Sequence, residues 1–275
     1  MRRNELFTLV TLIIIVAIPV IMAIYFPSSI EIDEAKDPKT EEKENKDKEK
    51  DSKNNKGDKE SNGDEIHWGV DSATYTDEEF FGCVVDNFGQ PSVWGRYLGD
   101  KEGVSAGLDS TEVKLLHDNG IKILVIYNHV EDARGHDNGI AHAEEAIGMA
   151  KELEIPKGVA IFVDIEPEYP IDAAFLEGWY STIKESDFEP GVYGVFSDDN
   201  DLLNQFSSMD KEALKNTIVW TAYPQEEITT KENAPEWSAA GPENAKVYGW
   251  QYAIDSETCN IDTNLFKGNI MEFLW

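Results

Sequence analysis

The feature that most constrains this 275-residue chain is an apolar segment, residues 158–167 (GVAIFVDIEP), that ends in two carboxylates two positions apart. Side chains alternate between the two faces of a β-strand, so Phe162, Asp164 and Glu166 share one face. The opposite face is then apolar and consists of Ile161, Val163 and Ile165. A strand with an apolar outer face and acids at its carboxyl end is typical of a barrel that is covered by helices and carries its reactive groups at that end.

Two acids held side by side on a rigid strand suit the cleavage of a glycosidic bond. One carboxyl group can protonate the leaving oxygen, while the other stabilises positive charge or positions the attacking group. The same acids could instead bind calcium or magnesium, because hard cations prefer clustered oxygen ligands. The five histidines form no zinc-ligand motif, and no spaced histidine or cysteine set supports one. The sequence therefore predicts carboxylate chemistry without a cofactor and leaves a hard-cation site open.

The beginning of the chain predicts a membrane anchor within residues 1–30. Residues 6–26 form an almost unbroken apolar run that is long enough to cross a bilayer as a helix. Arg2 and Arg3 precede this run, which predicts a cytoplasmic N-terminus and an extracytoplasmic C-terminal part. The alternative is a cleaved signal peptide and a secreted protein, although residues 22–26 offer no good cleavage site. We expect a single-pass protein of the cell membrane.

The rest of the chain divides into a charged linker and a folded domain. Residues 31–65 contain 14 acidic and 9 basic side chains and no aromatic one. Such a segment buries too little apolar surface to offset its ordering entropy, which predicts a disordered tether. Residues 66–275 hold all seven tryptophans and nearly all of the formal net charge of −30, and they are predicted to form one domain. A domain this acidic is repelled by nucleic acid and by anionic lipid, so neither is an expected partner.

Strand and helix patterns alternate along residues 66–275, which predicts an α/β fold with a parallel sheet. The predicted strands cover residues 68–71, 93–98, 121–127, 158–166, 192–196, 217–223, 247–252 and 259–262. A capping box from Thr76 to Glu79 predicts the start of the first helix, and Asp109 predicts the cap of the second. Eight strands with helices mainly behind the first five indicate an irregular TIM-like barrel. The alternative, a doubly wound open sheet, lacks a glycine-rich phosphate loop.

The two cysteines, Cys83 and Cys259, follow the first predicted strand and precede the last one, respectively. First and last strands are neighbours in a closed barrel, so a disulfide is geometrically reasonable outside the cytoplasm. Two buried free thiols are the alternative, and the sequence does not decide between them.

One catalytic motif is a chance match. Residues 103–107 (GVSAG) fit the G-x-S-x-G pattern of serine hydrolases, which requires a strand directly before the serine. Here a loop precedes Ser105, and no histidine follows His142 to complete a triad. We therefore exclude a serine hydrolase.

Several short motifs together resemble glycoside hydrolase family 25, the muramidases that cut peptidoglycan. They occur in that family's order at residues 69–71 (GVD), 163–166 (VDIE), 191–194 (GVYG), 219–223 (VWTAY), 250–252 (WQY) and 261–264 (IDTN). The middle of the chain is more similar to a sister group, the glycoside-hydrolase-like domains long catalogued as a domain of unknown function. That likeness rests on residues 96–99 (RYLG), 121–127 and the helix pattern from Gly139 to Ala150.

The resemblance implies an irregular barrel of eight strands and five helices with a carboxylate cluster. By position, Glu166 corresponds to the general acid and Asp164 to the acid beside it. Asp71, at the end of the first strand, and Asp262, at the last strand, complete the implied cluster.

Further candidate substrate contacts lie at or near predicted strand ends. Aromatic faces there could stack on sugar rings, and a carboxamide could bind their polar groups, although ordinary barrel packing is the alternative for each ring. These candidates are Tyr127, Tyr193, Trp220, Tyr223, Trp250 and Asn128.

The leading hypothesis is a membrane-anchored, extracytoplasmic glycoside hydrolase-like protein that acts on peptidoglycan or a related cell-wall glycan. One alternative is a non-catalytic glycan-binding or wall-positioning module on the same fold, because fold does not determine activity. Another is a cell-surface interaction domain that binds no sugar.

Overall fold

The computed structural model describes Gly63 and residues 65–275. The predicted membrane anchor and all but the end of the predicted linker lie outside these residues. Within the described part, no helix is both long and apolar enough to cross a membrane.

Eight strands close into a barrel in sequence order. They are β1 (Ile66–Asp71), β2 (Val93–Tyr97), β3 (Lys122–Tyr127), β4 (Ala160–Ile165), β5 (Glu189–Gly194), β6 (Ile218–Thr221), β7 (Lys246–Ala253) and β8 (Asp262–Lys267). This closed sheet confirms the predicted α/β barrel. The predicted parallel direction is wrong for β8, which runs antiparallel to both β7 and β1. The connection over residues 254–261 is too short for the crossover that a parallel strand needs.

Six α-helices follow the first five strands of the described domain, as predicted. They are α1 (Glu78–Phe88), α2 (Ser110–Asp118), α3 (His136–Glu152), α4 (Ala173–Lys184), α5 (Asp201–Ser207) and α6 (Lys211–Asn216). Residues 222–245, between β6 and β7, hold only a short 3-10 turn at Lys231–Asn233. A second 3-10 segment, Gly268–Phe273, follows β8.

Two local predictions need correction. The cap of α1 is Asp77 and not Thr76, because the Asp77 carboxylate accepts the Phe80 backbone N–H at 2.8 Å. The last strand starts at Asp262, whereas the sequence pattern placed it over residues 259–262. Residues before Asp262 form a loop, in which the Ser256 N–H donates to the Ile261 carbonyl at 3.1 Å.

Alternation along β4 places its side chains as predicted. Phe162 packs inside the barrel with Ile126, Trp220 and Phe266. The opposite face packs against the helices in a second apolar cluster and consists of Ile161, Val163 and Ile165. The two acids that follow Phe162 on the inner face therefore start from a rigid strand that is packed on both sides.

Cys83 and Cys259 form a disulfide with a Cα–Cα distance of 6.1 Å. This pairing answers the question that the sequence left open. It connects α1 to the loop before β8, which is reasonable because β1 and β8 are neighbours in the closed barrel. The loop that leads into Asp262 is thereby held against the first helix.

Candidate active site

The four predicted acids lie at one mouth of the barrel. Asp71 ends β1 and is the register partner of Asp262, which begins the antiparallel β8. The side-chain amide of Gln251 bridges this pair, because its Nε2 donates to Asp71 Oδ2 at 3.0 Å and to Asp262 Oδ2 at 3.2 Å. Asp164 and Glu166 come from the carboxyl end of β4, at the same mouth. The structure thus brings together the acids that the sequence selected, and their catalytic roles stay a prediction.

Asp71 is a buried carboxylate that is held by two amides. Its side chain accepts a hydrogen bond from Asn264 Nδ2 at 2.6 Å in addition to that from Gln251. Gly95 on β2 makes room for it, since a Cβ at that position would lie 2.7 Å from the Asp71 Cβ. Burial raises the pKa of Asp71 to about 6, while the two amide hydrogen bonds and the Arg96 charge oppose this rise. Asp71 is therefore ionised at neutral pH.

Asp262, unlike Asp71, is mostly protonated at neutral pH. Its Oδ1 accepts the Asp255 backbone N–H at 2.7 Å. Burial, followed by the negative charge of Asp71, raises the pKa of Asp262 to about 8. Between about pH 6 and 8 the Asp71–Asp262 pair therefore holds one proton, and the site contains a base and an acid side by side.

The pKa values of Asp164 and Glu166 are also raised above those of ordinary carboxyl groups. Burial raises the pKa of Asp164 well above its usual range, and the charges of Glu166 and Asp71 add to the rise. Asp164 Oδ1 is buried and has no hydrogen-bond partner in the described part of the chain. Burial also raises the pKa of Glu166, assisted by the Glu168 charge, while the ammonium of Lys101 lowers it. Glu166 is the partly exposed member of this pair, so it is the one that can deliver a proton to a bound molecule.

Two of the predicted aromatic residues form a floor beneath the acids. The rings of Tyr193 and Trp220 pack with a centroid distance of 4.3 Å. Tyr193 donates its hydroxyl to Gln251 Oε1 at 2.6 Å, and Trp220 donates its indole N–H to Asn264 Oδ1 at 2.9 Å. Trp220 is fully buried, so its role here is packing and orientation of the amides that hold Asp71.

Tyr127, which ends β3, and Trp250 in β7 point away from the mouth. Alternation along their strands turns both rings to the outer face of the barrel, which is the ordinary packing that the sequence left as the alternative. Tyr127 packs against Trp179 with ring centroids 5.7 Å apart and donates its hydroxyl to Glu145 Oε2 at 2.9 Å. The Trp250 indole N–H donates to the Pro224 carbonyl at 2.9 Å.

Asn128 and Tyr223 lie at the ends of their strands, as predicted. Asn128 follows β3 and is buried, with its Nδ2 donating to Ser105 Oγ at 2.9 Å. Its Oδ1 has no hydrogen-bond partner among the residues described. Tyr223 follows β6 and exposes 40% of its surface. Tyr223 is therefore the predicted aromatic residue whose ring is most open to a ligand.

Three further side chains, none of them among the predicted site residues, face the acids. Tyr97 ends β2 on its inner face, and the charges of Asp164, Asp71, Glu166 and Asp262 all add to the burial that raises its pKa. Gln251 bridges two of the acids, as described above. Strand alternation could have indicated both residues. Tyr97 is four residues after Val93, which faces the inside of the barrel, and Gln251 is next to Trp250, which faces the outside. Lys101 lies in a loop, where no strand alternation predicts the direction of its side chain.

Within residues 65–275, no group of three or more histidine, cysteine, aspartate or glutamate side chains is arranged to hold a metal ion.

The buried carboxyl groups predict that the domain loses stability as the pH rises. Their pKa is higher in the folded than in the unfolded state. At pH values between these two pKa values the folded state binds more protons than the unfolded state, so a rise in pH favours unfolding. Their stabilising contribution is complete below the unfolded pKa of 3.8 and is lost as the pH rises through about 6 for Asp71 and about 8 for Asp262. The slope is on the order of 1 kcal/mol of unfolding free energy per pH unit for each group.

Thermal unfolding across this pH range, followed by circular dichroism, measures the effect. The Asp262→Asn variant should show a shallower fall in Tm between about pH 6 and 8, because the group that releases its proton there is absent. Exposed carboxylates are already ionised in this window and contribute equally to both proteins. Identical slopes for the two proteins would contradict the raised pKa of the half-buried Asp262.

The closed eight-stranded barrel thus carries a cluster of four carboxyl groups at the mouth where its parallel strands end. The chain belongs to the Rv2525c-like, glycoside hydrolase-like domain family, whose model matches residues 91–266. It is also similar to an uncharacterized protein from B. stearothermophilus, with 34% sequence identity and a TM-score of 0.74 over 76% of this chain and 100% of that chain. The predicted resemblance to the glycoside-hydrolase-like group is therefore confirmed.

Structural similarity extends at lower levels to two other solved structures. A muramidase from Acremonium alcalophilum has 14% identity and a TM-score of 0.49, over 75% of this chain and 96% of that chain. The modular autolysin LytC from Streptococcus pneumoniae, solved with a synthetic peptidoglycan ligand, has 18% identity and a TM-score of 0.47, over 73% of this chain and 46% of that chain. No protein of curated function matches this sequence.

Proposed function

We propose that this protein is a membrane-anchored, extracytoplasmic glycoside hydrolase that cleaves peptidoglycan or a related cell-wall glycan. The observation that carries the proposal is the convergence of Asp71, Asp164, Glu166 and Asp262 on one mouth of the barrel, where Asp71, with a pKa of about 6, lies beside Asp262, with a pKa of about 8. Glycosidic cleavage requires this combination, because the leaving oxygen needs a proton while the sugar ring develops positive charge. Membership of a glycoside-hydrolase-like family supports the same reaction class.

The roles of the acids follow from their surroundings. Burial raises the pKa of Glu166 and its side chain is partly exposed, so we assign it as the general acid towards the leaving oxygen. Asp164 lies deeper and stabilises positive charge, either on the sugar ring or on the cation that forms when the substrate's own N-acetyl group attacks. Charge that develops on the sugar lowers the pKa of Asp164 and favours its ionised form at that moment. Asp71 supplies fixed negative charge beneath the pair.

The proposed location outside the cytoplasm rests on two independent features. Residues 6–26 have the length and apolarity of a membrane-spanning helix and follow Arg2 and Arg3. The disulfide between Cys83 and Cys259 is of the kind that persists in oxidising compartments outside the cytoplasm. In this arrangement, the charged segment 31–65 is a tether between the membrane and the domain.

The proposal is tested with the purified full chain and purified peptidoglycan sacculi. We expect new reducing ends to accumulate with time and the mass spectrum of the soluble products to show intact sugars separated at a glycosidic bond. Sacculi that bind the protein without new reducing ends would instead support the non-catalytic glycan-binding module. If the protein neither binds nor cleaves the sacculi, the hydrolase and the glycan-binding module are both contradicted. A surface interaction domain is then favoured.

A further inference from the structure

The disulfide lies close in sequence to one of the four acids. Residues 254–261 connect the antiparallel strands β7 and β8, and Asp262 is the first residue after this connection. Cys259 comes three residues before Asp262, and its sulfur is bonded to that of Cys83 on α1. Three residues span at most about 11 Å, so a fixed Cys259 limits where Asp262 can lie. The disulfide therefore restrains this acid from the side of the first helix.

The same loop is also bound to the residues that follow β1. Ser72, directly after this strand, donates its hydroxyl to the Asn260 carbonyl at 2.5 Å. The Asn260 side chain donates from Nδ2 to Thr74 Oγ1 at 2.9 Å. Asn260 is the neighbour of Cys259, so the hydrogen bonds and the disulfide act on consecutive positions. The loop is thus fixed both to α1 and to the end of β1.

One carboxylate oxygen of Asp262 is held by the loop itself. It accepts the Asp255 backbone N–H at 2.7 Å, and Asp255 has a φ of 63°. A non-glycine residue adopts this left-handed conformation at a cost in energy, so the contacts around it must impose it. The Ser256 N–H donates to the Ile261 carbonyl at 3.1 Å and closes the loop beside Asp255. The hydrogen bond to Asp262 therefore depends on the conformation of the whole loop.

One sulfur of the disulfide is open to attack from solvent. Cys83 is partly exposed, whereas Cys259 exposes only 5% of its surface. Asn87 Nδ2 lies 4.0 Å from the Cys83 sulfur and 3.9 Å from the Cys259 sulfur. An amide N–H beside a sulfur favours the thiolate that departs when a disulfide is attacked. A thiolate reagent can therefore attack Cys83, with Cys259 as the leaving group.

We propose that the disulfide is a redox-responsive positioning group for Asp262. In the oxidised protein it holds residues 254–261 against α1, so that Asp262 stays half-buried beside Asp71. Reduction releases this link, and the loop and its acid then move away from Asp71. The hydrogen bond to Thr74 persists in the sequence but is open to water, and such bonds hold a loop weakly. This inference rests on the proposed function, in which Asp71 supplies negative charge to the reaction, and it predicts slower hydrolysis after reduction.

The reductant is a dithiol, and the exchange balances in two steps. A thiolate of the dithiol attacks the Cys83 sulfur and forms a mixed disulfide, while Cys259 leaves as a thiolate. The second thiol of the reagent then displaces Cys83. The dithiol ends as a disulfide after losing two electrons, and its two protons end on the two cysteine thiols.

The test compares the oxidised full chain with the same chain reduced by dithiothreitol under native conditions. Alkylation and mass spectrometry count the free thiols. We expect reduction to lower the rate of reducing-end release from sacculi about tenfold, because a displaced site group costs turnover, and reoxidation to restore it. Cys83→Ser/Cys259→Ser should release reducing ends at the reduced rate and should not respond to dithiothreitol. A folded chain whose disulfide resists the reagent, or a reduced chain that unfolds by circular dichroism, would overturn the switch.

A second measurement follows Asp262 directly and requires no turnover. The ¹³C NMR signal of its carboxyl group, assigned with Asp262→Asn, reports its titration. The charged groups that face it are Asp71, Asp255 and Glu166, and burial is the largest cause that raises its pKa to about 8. We expect the midpoint to fall by about one pH unit or more on reduction, because the released carboxyl group is less buried. An unchanged midpoint would overturn the positioning role even if reduction slows release.

Ile183→Ala is the matched control for lost stability. Ile183 is fully buried on α4, which packs against β5, and its truncation destabilises the domain by leaving a cavity. Below its Tm this variant should keep the wild-type release rate and the wild-type midpoint of Asp262. If it lowers both as reduction does, the disulfide only stabilises the fold, and the positioning role is wrong. If the oxidised chain releases no reducing ends, the hydrolase proposal fails, and the midpoint of Asp262 alone decides this inference.

Discussion

Replacement of Glu166 by glutamine is expected to lower the kcat for release of reducing ends from peptidoglycan by about 10²–10⁴-fold. The amide has nearly the same shape as the acid but cannot give up a proton, so the leaving oxygen would depart without assistance. Glu166 is the partly exposed acid of the β4 pair, whereas Asp164 is buried below it. Reducing-end release from sacculi, measured at several protein concentrations, gives kcat for both proteins.

Glu168→Gln is the matched control for this experiment. Glu168 is exposed, lies two residues further along the same loop, and its charge adds to the rise in the pKa of Glu166. Its replacement should leave kcat near the wild-type value. It should also move the alkaline limb of the pH–rate profile to lower pH, because the pKa of Glu166 falls when the neighbouring negative charge is removed. The Glu166→Gln variant should still bind sacculi. Wild-type turnover by this variant would show that Glu166 is not the proton donor, and the acid would have to be sought among Asp164 and Asp262.

The inner face of the barrel could be predicted wherever a strand has a strict period of two. Phe162, Asp164 and Glu166 were placed correctly because the intervening residues of β4 are all aliphatic and leave one possible orientation. Tyr127 and Trp250 lie on the outer face, where the sequence had left packing as the alternative, because the parity of a residue in its strand sets the direction of its ring. The same parity argument would have selected Gln251 in β7, whose amide bridges Asp71 and Asp262.

Other features depend on information that a local pattern does not contain. The direction of β8 follows from closure of the barrel and from the short connection before it, and neither has a periodic signal. Lys101 and Tyr169 lie in irregular loops, where the direction of a side chain is set by contacts between loops. The fold and the acids of the site were therefore predictable, while the loop residues beside those acids were not.

A buried ion pair between Arg96 and Glu112, on the outer face of the barrel, contributes to the stability of the domain and also fixes the backbone next to Asp71. The side chains of Arg96 and Glu112 are both fully buried, with Arg96 Nε 2.5 Å from Glu112 Oε1. The guanidinium also donates to the carbonyl of Ser72, directly after Asp71, and to the carbonyl of Ala106 at 3.0 Å. One arginine thus holds the end of β1, the Lys101 loop and α2 together.

Arg96→Met is therefore expected to lower the unfolding free energy of the domain by about 3–5 kcal/mol, because it leaves the Glu112 carboxylate buried and uncompensated. Urea unfolding of the full chain, followed by tryptophan fluorescence, measures the change. Lys114→Met is the control, since Lys114 pairs with Asp118 on the exposed face of the same helix and should contribute less than about 1 kcal/mol. Arg96→Met/Glu112→Gln should recover part of the loss, because an amide is cheaper to bury than an unpaired charge. A similar small effect for Arg96→Met and Lys114→Met would mean that the buried pair neither stabilises the fold nor fixes the backbone beside Asp71.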